Sequence, residues 1–198
     1  MAAALGTRFT PLACDLADHD ERIALCTALP EKIDGLINNA GIQIEQDYFT
    51  NGAHDVSYLT EIALNIAAPV ALTTALLSRL VASPSPFVVN ITSGLALTPK
   101  ERAPVYCATK AALSSFTTGL RYQAQTHCPQ MTIAEAILPL VDTDMTAGRG
   151  TAKISPDQAA AEIIAGIVKG KNRIWVGKAR LLPLLNRISP GFVAKMLR

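Results

Sequence analysis

At 198 residues, with 49% hydrophobic and 17% charged content, the chain is long enough to bury a real core and too apolar to be disordered. A formal net charge of +2, with no basic run and no aromatic-interleaved basic patch, argues against a nucleic-acid partner. Cys14, Cys26, Cys107 and Cys128 have no CxxC spacing, and His19, His54 and His127 form no pair at helical spacing. Neither a disulfide framework nor a metal site is therefore expected, and the cysteines read as thiols in a reducing compartment. The first eight residues lack the apolar core of a signal peptide, so the expected location is cytoplasmic.

In chain order, Arg8 to Cys14 is a short strand, and Pro11 confines it to a sheet edge because proline cannot donate to a ladder. Asp18 to Leu29 is a helix with acidic residues at its start. Lys32 to Asn38 is a buried strand entering the turn Asn38-Asn39-Ala40-Gly41. A long helix runs from Asp55 to about Val81, kinked or broken at Pro69, whose ring removes an i−4 hydrogen bond. Its apolar stretch, Ile62 to Ala82, holds Asn65, several threonines and Arg79, and reads as a buried helix and not a membrane span. Phe87 to Ile91 is a strand, Val105 to about Gln125 a helix, Met131 to Leu138 a strand, Pro156 to Val168 a helix and Arg173 to Val176 a strand. Apolar strands alternating with helices predict an α/β fold with a parallel sheet covered on both faces. The two long helices carry more apolar and small side chains than one sheet face can cover, which predicts self-association through a two-fold contact.

In such folds chemistry sits beyond the carboxyl ends of the strands. The polar residues expected there are Asp15, Asn38 to Gly41, Thr92-Ser93 and Thr143. The serine hydroxyl could hydrogen-bond a substrate oxygen, and the small residues of the Asn38 to Gly41 turn would let backbone approach a flat ligand. Tyr106 and Lys110 lie four residues apart, on one face of their helix. An ammonium beside a phenol favours the phenolate and would lower the tyrosine's pKa, making it useful as an acid or base. Each feature also has a plain structural use, as a turn, a cap or a solvated helix face.

Together these motifs resemble the short-chain dehydrogenase/reductase family over residues 5 to 177: Asp15, Asn38-Asn39-Ala40-Gly41, Asn65, Ser93, and Tyr106 thirteen residues later with Lys110. The resemblance implies a Rossmann-like doubly wound parallel sheet and an oxidoreductase that interconverts a carbonyl and a secondary alcohol with NADP or NAD. It implies that Tyr106 is the acid/base, that Ser93 holds the substrate oxygen, and that Lys110 tunes Tyr106 and holds the nicotinamide ribose. Asn65 would position a water for proton relay. Asp15 with Leu16 would contact adenine, Asn38, Ala40 and Gly41 would line the cofactor, and Val141 and Thr143 would meet the nicotinamide carboxamide.

The family pattern is departed from in two places. Its Pro-Gly before the last motif is here Leu138-Pro139. Its opening unit, two strands around a Gly-x-x-x-Gly-x-Gly phosphate loop, has no counterpart in this sequence. The fold is thus expected to be N-terminally truncated, with an unpaired edge on the strand ending at Asn38. Three outcomes are open: Arg8 to Cys14 moves across to pair there, another chain covers the edge, or the sequence is a fragment, which is the preferred expectation. A catalytically inactive truncated relative acting through oligomerisation or partner binding is the rival reading. The chain is expected to be one domain, 1–198, with an apolar tail at 180–198 that packs on its own domain or across a dimer. Contact of that tail with a membrane surface is the lesser expectation.

Overall fold

The computed structural model describes residues 9–50, 57–189, 191 and 193. Four parallel strands lie side by side in chain order: β1 (Gly35–Asn38), β2 (Phe87–Ser93), β3 (Thr132–Leu138) and β4 (Arg173–Trp175). Parallel neighbours need long crossovers, and helices supply them. The helices are α1 (His19–Ala28), α2 (Ser57–Val81), α3 (Pro104–His127), α4 (Pro156–Val168) and a short α5 (Leu182–Ile188). Caps set two of the starts. The Asp18 carboxylate accepts the Glu21 N–H at the head of α1, and the Ser155 hydroxyl accepts that of Gln158 at the head of α4.

Strand alternation sorts the core into two layers. Val88 and Ile133 face Leu76 and Leu80 of α2 and Ala124 of α3, with Cys128 and Met131 closing the end. Val89, Ile91, Ala134, Ala136 and Ile174 face Ala159 of α4. Cover on the α4 side does not extend to β1. Ile37 pairs with Val89 and therefore points the same way, yet it is 47% exposed. The expectation of a sheet covered on both faces thus fails at its first strand.

Two further expectations change. Phe9 to Cys14 form no strand (Arg8 lies outside the described residues), and Phe9 to Ala13 are exposed. Pro11 offers no N–H and no neighbouring strand stands beside the segment, so nothing makes it extend into a ladder. β1 is consequently the sheet edge among the described residues. The break expected at Pro69 takes a specific form. Proline has no N–H for the carbonyl four residues back, that of Asn65. The helix stays continuous by widening into a π turn over Ala63–Ala67, closed by the Ala68 N–H on the Ala63 carbonyl. This helix is long and apolar enough to span a membrane, but Glu61, Asn65, Leu72, Thr73, Leu76 and Leu80 are buried in the protein core.

A buried polar chain fixes how the elements meet. Asn38 Nδ2 donates to Asn90 Oδ1 at 2.7 Å and to Thr73 Oγ1 at 3.2 Å. Asn90 Nδ2 donates to Thr117 Oγ1 at 2.8 Å. Two strand asparagines, Asn38 and Asn90, thereby join β1, α2, β2 and α3 in the buried interior. Asn90→Ala removes the central link and strands the partners. It is expected to lower unfolding free energy by roughly 2–4 kcal/mol, read by urea denaturation followed by circular dichroism. A loss below about 0.5 kcal/mol would mean that the chain of amides is dispensable.

Candidate active site

The site grows from the carboxyl end of β2. The Ser93 side chain accepts the Leu95 N–H at 3.2 Å and starts a 3₁₀ turn, Gly94–Ala96. The cap and the site residue are therefore the same hydroxyl. A Cβ on Gly94 would stand 2.5 Å from Leu182 Cδ1, so the C-terminal helix α5 seats directly against the strand end.

Helix α3 begins at Pro104, a favoured first-turn residue, and brings Tyr106 and Lys110 inward. Tyr106 is buried and its phenol shares a hydrogen bond with Ser93. Lys110 is also buried, its Nζ 2.9 Å from the Ile91 carbonyl and 5.7 Å from the centre of the Tyr106 ring. The proposed effect of the lysine on the tyrosine is reversed here. Burial pushes the phenol up to about 12, with the Ser93 hydrogen bond pulling the other way. Burial likewise lowers the Lys110 ammonium to about 8. Desolvation of each group outweighs their mutual attraction because the amine faces a carbonyl and the ring, not the phenol oxygen.

Asn65 sits in the π turn, fully buried. Its Oδ1 accepts the Ile42 N–H at 2.9 Å, and its Nδ2 donates to the Ile42 carbonyl at 2.8 Å and to Thr109 Oγ1 at 3.2 Å. Both amide hydrogens are spent on fixing the loop after β1 to α3. Gly41 lies in that loop, where a Cβ would approach Asn65 Oδ1 at 3.0 Å and Lys110 Nζ at 3.4 Å. The loop can lie this close to the lysine only because residue 41 has no side chain.

Away from this centre, the remaining sequence-predicted residues divide. Leu16, Asn38 and Ala40 line one groove of about 160 Å³ at the β1 edge, with Leu64, Ala68 and Leu72. Asp15 is exposed and folds back on its own turn, Oδ1 accepting the Ala17 N–H at 2.9 Å. Val141 bridges Ile154, and the exposed Thr143 gives its N–H to Thr146 Oγ1 at 3.1 Å.

No local motif announces how three loops beyond the strand ends are joined. Glu45, from the loop after β1, meets Lys100 at 2.5 Å, Arg149 at 3.5 Å and Arg102 at 3.6 Å. The loops at 42–51, 94–103 and 144–154 show no decisive residue when read separately, and in space they share one carboxylate (Asn51 lies outside the described residues). Its partners are 55, 57 and 104 positions away, so no local pattern could announce them. Glu61, also unsignalled, is buried and receives the Ile44 N–H at 3.1 Å, and burial raises its carboxyl pKa.

Parallel strands joined by helices, with Ser93, Tyr106 and Lys110 gathered near the end of the second strand, form a Rossmann-like α/β architecture. The chain belongs to the short-chain dehydrogenase family, whose model, described as short chain dehydrogenase, matches residues 1–153. An uncharacterized oxidoreductase of Bacillus subtilis (strain 168), DltE, is 38% identical over 171 residues, covering 81% of this chain and 67% of its own length. A fatty acyl-CoA reductase of Acinetobacter baylyi is 30% identical over 184 residues, 89% of this chain and 62% of its own. The chain thus spans about two thirds of the length of these relatives. A short chain dehydrogenase from Burkholderia cenocepacia, solved in complex with NADP, superposes with a TM-score of 0.81 at 22% identity. That match covers 97% of this chain and 82% of the other.

The buried amine makes a prediction about stability. Unfolded, Lys110 holds its proton to pH 10.5; folded, it releases it near 8. Between these values the unfolded state binds more protons, so stability rises with pH. Tyr106 acts oppositely, but only above pH 10, where its raised pKa makes the folded state the better proton binder. Unfolding free energy of the wild type, less that of Lys110→Met, should therefore climb by about 2 kcal/mol between pH 8 and 10. Parallel pH profiles for the two proteins would show that the amine is solvated.

Proposed function

We propose that the chain is, or forms the larger part of, an NADP- or NAD-dependent oxidoreductase that interconverts a carbonyl and a secondary alcohol. The observation carrying this reading is the convergence of Ser93, Tyr106 and Lys110 beyond the carboxyl end of β2. When bound, a nicotinamide cofactor supplies or accepts the hydride. The Ser93 hydroxyl donates to the substrate oxygen and holds it beside the Tyr106 phenol. With its pKa near 12, Tyr106 is fully protonated at neutral pH and is a ready proton donor to a carbonyl oxygen. Lys110, with its pKa near 8, is mostly an ammonium at pH 7 and would hold the ribose hydroxyls. The Asn65 amide is already spent on Ile42 and Thr109, so a relay water held by this residue would have to meet its main-chain carbonyl, to which Pro69 offers no N–H.

The residues present fit the nicotinamide end of the cofactor better than its diphosphate. At that end Gly41 leaves bare backbone beside Lys110, and farther out Leu16, Asn38 and Ala40 line a groove at the β1 edge on the adenine side. For the diphosphate, the nearest helix start in sequence is that of α1, but Asp18 caps it and Asp20 and Glu21 fill its first turn. That end repels an anion. This favours a second reading, a non-catalytic member that acts through its exposed surfaces.

Calorimetric titration with NADPH and NADH separates the two readings. The 198-residue chain is expected to bind either more than a hundredfold more weakly than a diphosphate-holding site, since two lost charged hydrogen bonds cost at least ~3 kcal/mol. With cofactor at saturating concentration, Tyr106→Phe should lose at least a thousandfold in carbonyl turnover while keeping its melting temperature. Turnover within tenfold of wild type in that variant removes the mechanism. Absence of any cofactor binding at millimolar concentration leaves the non-catalytic reading.

Pairing of two copies through α2 and α3 is part of the same proposal. Leu59 and Ile62 of α2 and Tyr122 of α3 stand 53%, 40% and 64% exposed. Light scattering at micromolar concentration should give a dimer mass, and a monomer mass in the double variant Leu59→Glu, Ile62→Glu. A monomeric wild type would exclude the pairing.

A further inference from the structure

The mouth of the site carries more positive charge than it neutralises. Glu45 is a single carboxylate shared by Lys100, Arg102 and Arg149. Lys100 takes the short contact, 2.5 Å to Oε1, and the mostly exposed Arg102 lies at the other oxygen. Arg149 reaches Oε1 only through Nε, at 3.5 Å. Its Nη1 is buried and has no hydrogen-bond partner among the described residues. A guanidinium nitrogen withdrawn from water without an acceptor is destabilising, by more than the long contact to Glu45 returns. Other nearby carboxylates do not supply the acceptor: Asp142 is taken by Lys153 at 3.0 Å, and Glu61 by the Ile44 N–H.

We propose that Arg149 is a substrate-binding residue whose Nη1 donates to one carboxylate oxygen of an anionic carbonyl substrate, with Glu45 as the positioning residue that aims it. This rests on the oxidoreductase reading above and narrows the substrate class to oxo acids and their hydroxy-acid counterparts. Glu45 is suited to the task because it ties the Arg149 loop to the loop that follows β1 and to the segment between Ser93 and Tyr106. Arg149 is also close enough to Tyr106 for its charge to favour the phenolate, which places the guanidinium on the reacting side of the molecule. With Nε engaged by Glu45, the side chain offers its remaining N–H groups in a plane, the arrangement that fits a planar carboxylate. A neutral substrate would leave that nitrogen buried and unpaired, so the same arginine also discriminates against uncharged carbonyls.

The test uses 3-hydroxybutyrate and its methyl ester, which differ in the carboxylate alone. Both are titrated by calorimetry into the 198-residue chain, with and without NADPH, for wild type, Arg149→Met, Arg149→Lys and Glu45→Gln. Wild type should bind the acid at least tenfold more tightly than the ester. Arg149→Met should bring the acid down to the ester's affinity, Arg149→Lys should recover part of the difference, and Glu45→Gln should lose several-fold. Melting temperatures within a few degrees of wild type establish that the variants are folded; should Arg149→Met unfold, Arg149→Lys and Glu45→Gln carry the comparison. Equal affinity for acid and ester in wild type, no binding of the acid, or an acid affinity indifferent to Arg149 overturns the proposal. Arginine-dependent acid binding by a chain that binds no NADPH at millimolar concentration supports it and overturns the oxidoreductase reading alone.

Discussion

A single buried amine holds the active end of this protein together. Lys110 reaches through the core to the Ile91 carbonyl, two residues short of the end of β2. That bond pins the first turns of α3 against the strand and puts Tyr106 beside Ser93. The arrangement is costly, since the ammonium loses most of its hydration and gains one carbonyl and the face of a ring. A group kept in place against a desolvation cost is a common feature of sites whose chemistry needs a shifted proton affinity. Both titratable groups here are shifted by burial and not by each other.

The loops around this centre are held by polar contacts of a different kind. Asn65 grips the Ile42 backbone through both ends of its amide, so the turn after β1 is fixed to the same helix that supplies Tyr106. Farther out, Glu45 gathers three cations from two other loops. The inner clamp is dry and satisfied. The outer one is partly exposed and overcharged, so it can exchange a partner for a ligand with little loss.

Much of the fold was legible in the residues. The strands from Phe87 and Thr132 read as near-continuous apolar runs because both faces are buried, and their ends came within two residues of those observed. The helix read from Pro156 to Val168 has those same bounds in the structure, where Ser155 caps it. Phe9 to Cys14 misled because strand character requires a neighbour as well as a composition, and no neighbour stands there. The spacing of Tyr106 and Lys110 correctly put them on one helix face, but it could not reveal that the amine would turn to the Ile91 carbonyl, nor that burial would raise the phenol's pKa.

What the sequence determined by itself were properties carried by neighbours along the chain: helix and strand periods, caps, the proline that widens α2, and the serine, tyrosine and lysine at family-like spacing. The tertiary structure alone decided how far each group is buried, which carbonyl the lysine finds, that Asn38 braces Asn90 and Thr73, and that Glu45 meets Arg149 across 104 positions. The reason is physical. Backbone preferences act over a few residues, whereas desolvation and ion pairing depend on distances that exist only once the sheet has brought its loops to one end.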